Sequence, residues 1–217
     1  MNIIVLGPQG SGKGTQAELL AKKYNLEHID MGKSLREVAR QDTPLGREIY
    51  HIQNVTNTLV PSRILRQVLH LKINSLPREQ GILFEGVPRK VDQQKYLEEE
   101  IQNSGRKIDA VIFINISEEE TVKRIGKRWI CKKNQHVLIL GKDIKNEKDK
   151  CPIDGSDIFQ RADDTPGGIK KRLEVYRKET MPVIEDYRKR DLLVEIDGTP
   201  SIEEVSKKID DELKSRI

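Results

Sequence analysis

Cysteine is scarce: the 217 residues include two, too few for the disulfide framework of a small secreted scaffold. Aromatic side chains are thin as well, with three Phe, five Tyr and one Trp, and that excludes a base-stacking platform for single-stranded nucleic acid. There is no excess of one charge. The 39 Lys and Arg are interspersed with 35 Asp and Glu, and the net charge of +4 does not suggest the one-sided basic face of a nucleic-acid binder. No apolar run approaches the roughly 20 residues of a membrane-spanning helix. Met1 leads straight into a strand-like stretch with no signal-like segment, so the expectation is a cytoplasmic protein without membrane or nucleic-acid partners.

What the chain does have begins at once. Ile3-Ile4-Val5-Leu6 is a short buried strand, and Gly7, Gly10 and Gly12 then stop it from continuing. After Thr15, Gln16–Lys23 reads as a helix. Strand, glycine loop and helix together make a Gly-rich match a phosphate site, because the loop N–H groups and the helix N-terminus form an anion socket. Lys13 adds a full charge for the outer phosphates. Gly14 follows it, so the hydroxyl sits one place later than in the general pattern, at Thr15. These features imply that the chain binds a nucleoside triphosphate.

Further along, Leu26–Ile29, Gly81–Gly86, Ala110–Ile114 and Leu192–Ile196 read as strands. Helical patterns separate them, including 45–53, a helix opened by Pro61, Val91–Asn103 and a long helix from Thr165-Pro166 that Pro182 restarts. Ser117-x-x-Glu120 and Ser201-x-x-Glu204 are capping-box signatures. Continuous apolar strands alternating with helices predict an α/β, three-layer P-loop fold with a parallel sheet. Residues 30–60 are too few for a core of their own and read as a mobile flap. Between Trp129 and Asp164 the βα rhythm breaks, as an inserted lid would break it, and the resemblance given below sets the lid at 127–164. That leaves 1–29, 61–126 and 165–217 as the core domain.

Arg36, Arg89, Arg124, Arg128, Arg161 and Arg172 all fall on segments that flank the sheet edge where ligands of open parallel sheets sit. Together with Lys13 they exceed what one triphosphate needs, and they suit two polyanions held tip to tip. No catalytic base accompanies them. None is required if the acceptor is itself a phosphate oxygen, already deprotonated.

Taken in order, Gly7–Thr15, Met31-Gly32, Leu35-Arg36, Leu59-Val60, Glu85–Arg89 with Gln93, Arg124 with Arg128, Gln160–Asp164 and Lys171–Leu173 resemble the adenylate kinases of the long-lid type nearly end to end. The resemblance implies a sheet of five parallel strands, the reaction ATP + AMP ⇌ 2 ADP with Mg2+ carried by the nucleotide, a cis Val87-Pro88 bond and a monomer. It assigns the donor to Gly10, Ser11, Gly12, Lys13, Gly14, Thr15, Arg128 and Pro200. The acceptor falls to Met31, Arg36, Leu59, Val60, Gly86, Val87, Arg89, Gln93, Arg161 and Arg172. The transferring group falls to Lys13, Arg89, Arg124, Arg161 and Arg172.

Several positions depart from the family pattern. Met31 replaces a Thr near the acceptor base, Glu85 an Asp that supports the magnesium waters, Val87 a Phe and Trp129 an Arg. Because of Met31, an acceptor other than AMP (GMP, CMP or UMP) is the alternative reading. The lid keeps the spacing of zinc-bearing relatives at Cys131, Asn134, Cys151 and Asp154, but an amide oxygen is a poor zinc ligand beside two thiolates. His136 lies close enough in sequence to substitute. The reading therefore leaves a structural zinc open and disfavours it.

Overall fold

The structure, a computed structural model, describes residues 1–52, 60–161 and 163–216. The chain opens with β1 (Asn2–Leu6), α1 (Lys13–Tyr24), β2 (Glu27–Asp30), α2 (Met31–Ala39) and α3 (Pro44–His51). It continues through α4 (Ser62–Asn74), β3 (Ile82–Glu85), α5 (Val91–Asn103), β4 (Ala110–Asn115) and α6 (Glu118–Gly126). The stretch 127–164, read above as a lid, contributes β5 (Arg128–Cys131), β6 (Val137–Ile139) and β7 (Ile158–Phe159). After α7 (Pro166–Val175), a π-helical turn (Tyr176–Thr180) and α8 (Met181–Lys189), the chain closes with β8 (Leu193–Asp197) and α9 (Ile202–Arg216).

Five strands form one all-parallel sheet in the order β2-β3-β1-β4-β8. Strand periodicity sorts their side chains onto two faces. Ile4 and Leu6 of β1 join Phe84, Val111 and Phe113 under α2, α4, α5 and α8. Ile3 and Val5 join Leu83, Ile112 and Ile114 under α1 and α9. Each such buried aliphatic side chain contributes about 1.5–3 kcal/mol. A one-residue slip of β1 would exchange the two sets, so its register is fixed. The central strand therefore delivers the glycine loop to the C-terminal edge of the sheet, between β3 and β4.

Within residues 30–60, the described Met31, Leu35, Ile49 and Val60 pack into the larger of the two core layers. Thr43 caps α3, its Oγ1 accepting from Gly46 N at 3.0 Å. The lid is a separate antiparallel sheet, β6-β5-β7, over a small cluster of Cys131, Leu138, Ile144 and Cys151. Pro182 stands in the first turn of α8, where the sequence pattern has the long helix restart. A π-helical turn precedes it, with Met181 N–H reaching back to Tyr176 O, and the chain continues into α8. Proline lacks the N–H that an α turn would require, and widening one turn accommodates that loss. Among the described residues no helix is long and apolar enough to cross a membrane.

Candidate active site

Gly10 and Gly12 take φ values of +78° and +87°, the left-handed region in which a side chain is strained. A Cβ on Gly10 would press on Ile125 at 3.3 Å and Arg124 at 3.4 Å. At Gly12 it would meet nothing within 4 Å, so the loop is open on that side. No side chain caps α1, and its leading N–H groups are left for an anion. Ser11 Oγ is buried at the loop without a protein partner. Lys13 folds back, its Nζ donating to Pro8 O at 3.2 Å. Burial lowers the Lys13 pKa from 10.5 to about 8; Glu85 opposes the shift, and the cations of Arg89, Arg128 and Arg161 add to it.

Those cations arrive from separate parts of the chain. Arg89 follows β3, Arg128 opens β5 and Arg161 lies just beyond β7. Burial lowers Arg161 to about 10, with Arg128 and Arg36 reinforcing and Asp164 and Asp163 resisting. Arg89 is lowered by burial too, opposed by Glu85 and Asp30 and reinforced by Arg36 and Arg172. Core, flap and lid thus bring Lys13, Arg36, Arg89, Arg128, Arg161 and Arg172 within one another's field. Like charges crowd here because the strand ends converge here, and only partial counter-charge is supplied.

Glu85 supplies it to Lys13 and Arg89, and Asp164 supplies it on the side of Arg161. The Asp164 side chain is 0% exposed and accepts from Arg128 at 2.6 Å and from Arg172 at 2.7 Å. Both guanidiniums grip one carboxylate, the kind of planar acceptor that a phosphate also offers. Arg124 stands apart from this group. It donates to Glu120 Oε1 at 2.7 Å, Gly10 O at 3.4 Å and Thr199 O at 3.3 Å, tying α6 to the glycine loop and to the turn that carries Pro200.

On the other flank, Arg89 is fixed through its own main chain. Its N–H donates to Gln93 Oε1 at 2.8 Å, and its Nε donates to Gly86 O at 2.9 Å. The Val87–Pro88 peptide is cis. Gln93 is buried, and with Oε1 engaged its NH2 is the group left for a ligand. A Cβ on Gly32 would lie 3.1 Å from Arg36 Nη1 and 3.2 Å from Asp30 Oδ1, so that carboxylate and guanidinium share one space. Met31 and Val87 are closed off at 1% and 0% exposure, packed with Leu35 and Phe84. In this structure they back the wall of the cleft and do not line it, because apolar side chains at that depth join the core. Val60 is buried with them, and Leu59 lies outside the described residues.

A pair that the sequence reading missed sits beside the loop. His28 Nε2 lies 3.1 Å from Glu85 Oε2. Burial disfavours the His28 cation, but the bond to Glu85 and the charges of Glu85, Asp30 and Glu18 outweigh it and raise the pKa. Glu85 is held below its ordinary range: burial alone would raise it, and His28, Lys13 and Arg89 more than compensate. The two residues are 57 positions apart and meet only because β2 lies in register on β3, with Asp30 opposite Glu85. A histidine inside the short strand Glu27–Asp30, next to the buried Ile29, was the available signal.

In the lid, the ligating atoms of Cys131, His136, Cys151 and Asp154 all lie within 4.8 Å of one another. Cys131 Sγ is 3.2 Å from Asp154 Oδ2, and His136 Nδ1 is 3.4 Å from Cys151 Sγ. Asn134 is not one of the four. Its backbone N–H donates to Cys131 Sγ at 3.3 Å and its amide to Asp154 Oδ2 at 2.7 Å, so it braces two of them. Two sulfurs, an imidazole nitrogen and a carboxylate oxygen at this spacing are a donor set that suits tetrahedral zinc.

A sequence model of the family described as adenylate kinase matches residues 5–192. The chain is similar to the adenylate kinase of Archaeoglobus fulgidus, 37% identical over 97% of this chain and 96% of that one. It is 35% identical to the adenylate kinase of Petrotoga mobilis, over 99% and 98% of the two chains. The adenylate kinase of Dehalococcoides mccartyi is 38% identical over 96% and 95%.

Proposed function

The chain belongs to the adenylate kinase family of phosphotransferases, and from that premise we propose that it moves a phosphoryl group from Mg2+-bound ATP to AMP, clamped by arginines beneath a closing lid. The observation that carries this reading is the convergence of six cationic side chains from core, flap and lid at one sheet edge. Residues 10–15 and Arg128 hold the donor, with the turn at Pro200 beside it. Arg36, Arg89 and Gln93 hold the acceptor, and Arg161 and Arg172 reach both. Lys13 and these arginines offset charge spread over the equatorial oxygens of the passing group, while Arg124 keeps the loop in place. Position and charge supply the catalysis, since an acceptor phosphate needs no base.

Mg2+ favours phosphate oxygens, waters and one or two carboxylates, and when bound it neutralises and aligns the donor phosphates. Glu85 fits that requirement: its Oε1 would stand 3.2 Å from a Cβ on Gly14, the residue after Lys13. In the lid, Cys131, His136, Cys151 and Asp154 would hold a structural zinc, which would tie β5 and the hairpin after it to the segment before β7. Elemental analysis of protein purified without chelator tests this; one zinc per chain is the expected result, and metal-free folded protein refutes it.

With Oε1 of Gln93 engaged by Arg89 N–H, the remaining amide donor suits a ring acceptor such as adenine N1, and the choice of AMP over a pyrimidine nucleotide with a like acceptor rests on the family. Mixing protein, Mg2+, ATP and each of AMP, GMP, CMP and UMP, and resolving the products, tests the reading. ADP should form fastest with AMP. A pyrimidine acceptor that outpaces AMP, or no turnover with any of them, would refute it.

A further inference from the structure

Glutamate at position 85 has one more rotatable bond than aspartate, and its carboxylate does not find one orientation by itself. Here the two oxygens are divided. Oε2 meets His28 Nε2 at 3.1 Å, and Oε1 faces the start of α1, 3.2 Å from where a Cβ on Gly14 would be. Among the described residues no neighbour duplicates the first contact: Lys13 Nζ donates to Pro8 O at 3.2 Å, and Asp30 Oδ1 accepts from Lys33 N at 2.9 Å. His28 is itself held on a strand paired to β3, and the two side chains are 21% and 13% exposed, so the pair is sheltered.

We propose that His28 is a positioning residue for the metal-bound donor, holding Oε2 of Glu85 so that Oε1 points into the phosphate loop. The proposal rests on the reading of Glu85 as the carboxylate that serves Mg2+. His28 touches neither nucleotide nor metal and acts only through Glu85. Partners that orient the carboxylates of a metal site typically change metal affinity about 10- to 100-fold when removed.

The test is calorimetric binding of ATP, with Mg2+ and with EDTA, to the parent, His28→Leu, His28→Gln, Glu85→Gln and the double variant His28→Leu/Glu85→Gln. Leucine should weaken Mg2+-dependent ATP binding about tenfold and leave metal-free binding within about twofold. Glutamine, which keeps a donor, should restore most of the loss. In the Glu85→Gln background, His28→Leu should cost nothing further. The proposal falls if His28→Leu weakens both forms of ATP equally, if it changes neither, or if its cost persists without the Glu85 charge. If Glu85→Gln leaves the Mg2+ dependence intact, the magnesium reading of Glu85 fails and the proposal fails with it. If Glu85→Gln weakens it and His28→Leu does not, only the role of His28 fails.

Discussion

In the cleft, Lys13, Arg89 and Arg161 lie under burial and under each other's charge, each lowered from its ordinary pKa. In the lid, Cys131, Asn134, His136, Cys151, Asp154 and Ser156 turn on one another, with Cys131 Sγ 2.9 Å from Ser156 Oγ and Asp154 Oδ1 accepting from Ser156 Oγ at 2.7 Å. The first region is short of negative charge, and a polyphosphate brings it. The second already contains donors and acceptors, with a centre that a cation fits. Both are small polar clusters, yet one is arranged for a ligand that comes and goes and the other to keep a shape. The comparison predicts that damage in the cleft costs chemistry, whereas damage in the lid costs structure.

The largest effect should come from Arg89→Lys. A point charge cannot replace the fork that Gly86 O and Gln93 hold in position, and loss of such a clamp costs about 10²- to 10³-fold in kcat. Thermal unfolding followed by circular dichroism should barely move. Turnover within about tenfold of the parent would break the distinction from the chemical side.

Next is Cys151→Ala. Trp129 is the chain's single tryptophan and packs against the lid cluster, so its fluorescence reports the lid while circular dichroism reports the core. The fluorescence transition should separate and move to lower urea concentration, while the dichroism midpoint stays close to the parent's. One shared transition that moves as a unit would show that lid and core are not independent.

A smaller effect concerns pH. Burial lowers the Lys13 pKa from an ordinary 10.5 to about 8, and bound phosphates favour its charged form. ATP binding should therefore take up a proton between about pH 8 and pH 10, and it should be full below 8 and weaken as pH rises through it. Titrations in buffers of different ionisation enthalpy measure the uptake, and Lys13→Met should abolish it. The smallest effect should be that of Met31→Thr. Since Met31 backs the wall and does not line it, AMP preference over GMP should change by no more than about threefold, well below the loss from removing a direct base hydrogen bond.

Much of this was legible in the sequence. The strands β1 and β4, the helix α5 and the caps Thr165 and Ser201 follow from local patterns, and Ser201 and Glu204 exchange both bonds of a capping box. At Ser117 only half of that motif forms, because Glu120 is drawn to Arg124. What escaped depends on distant register or on competition. His28 reaches Glu85 only after β2 is laid on β3. Asp164 becomes the partner of Arg128 and Arg172 only once the lid folds back to α7. In the lid, spacing pointed to position 134 with His136 as its substitute, and a turn that places Gln135 at φ +59° is what brings His136 to the sulfurs. Pro182 restarts the helix as its position suggests, but the π-helical turn before it, Tyr176–Thr180, has no signal in the local pattern.

The central claim, that cations from core, flap and lid converge on two phosphate chains held tip to tip, is tested most directly with a single molecule carrying two adenosines joined by five phosphates. Titrated by calorimetry while Trp129 fluorescence is followed, it should bind one to one and take up protons near pH 8.5. Its affinity should fall steeply with salt, and it should raise the lid and core unfolding transitions together. Binding of two molecules per chain, or tight binding that leaves the lid transition where it was, would contradict the account.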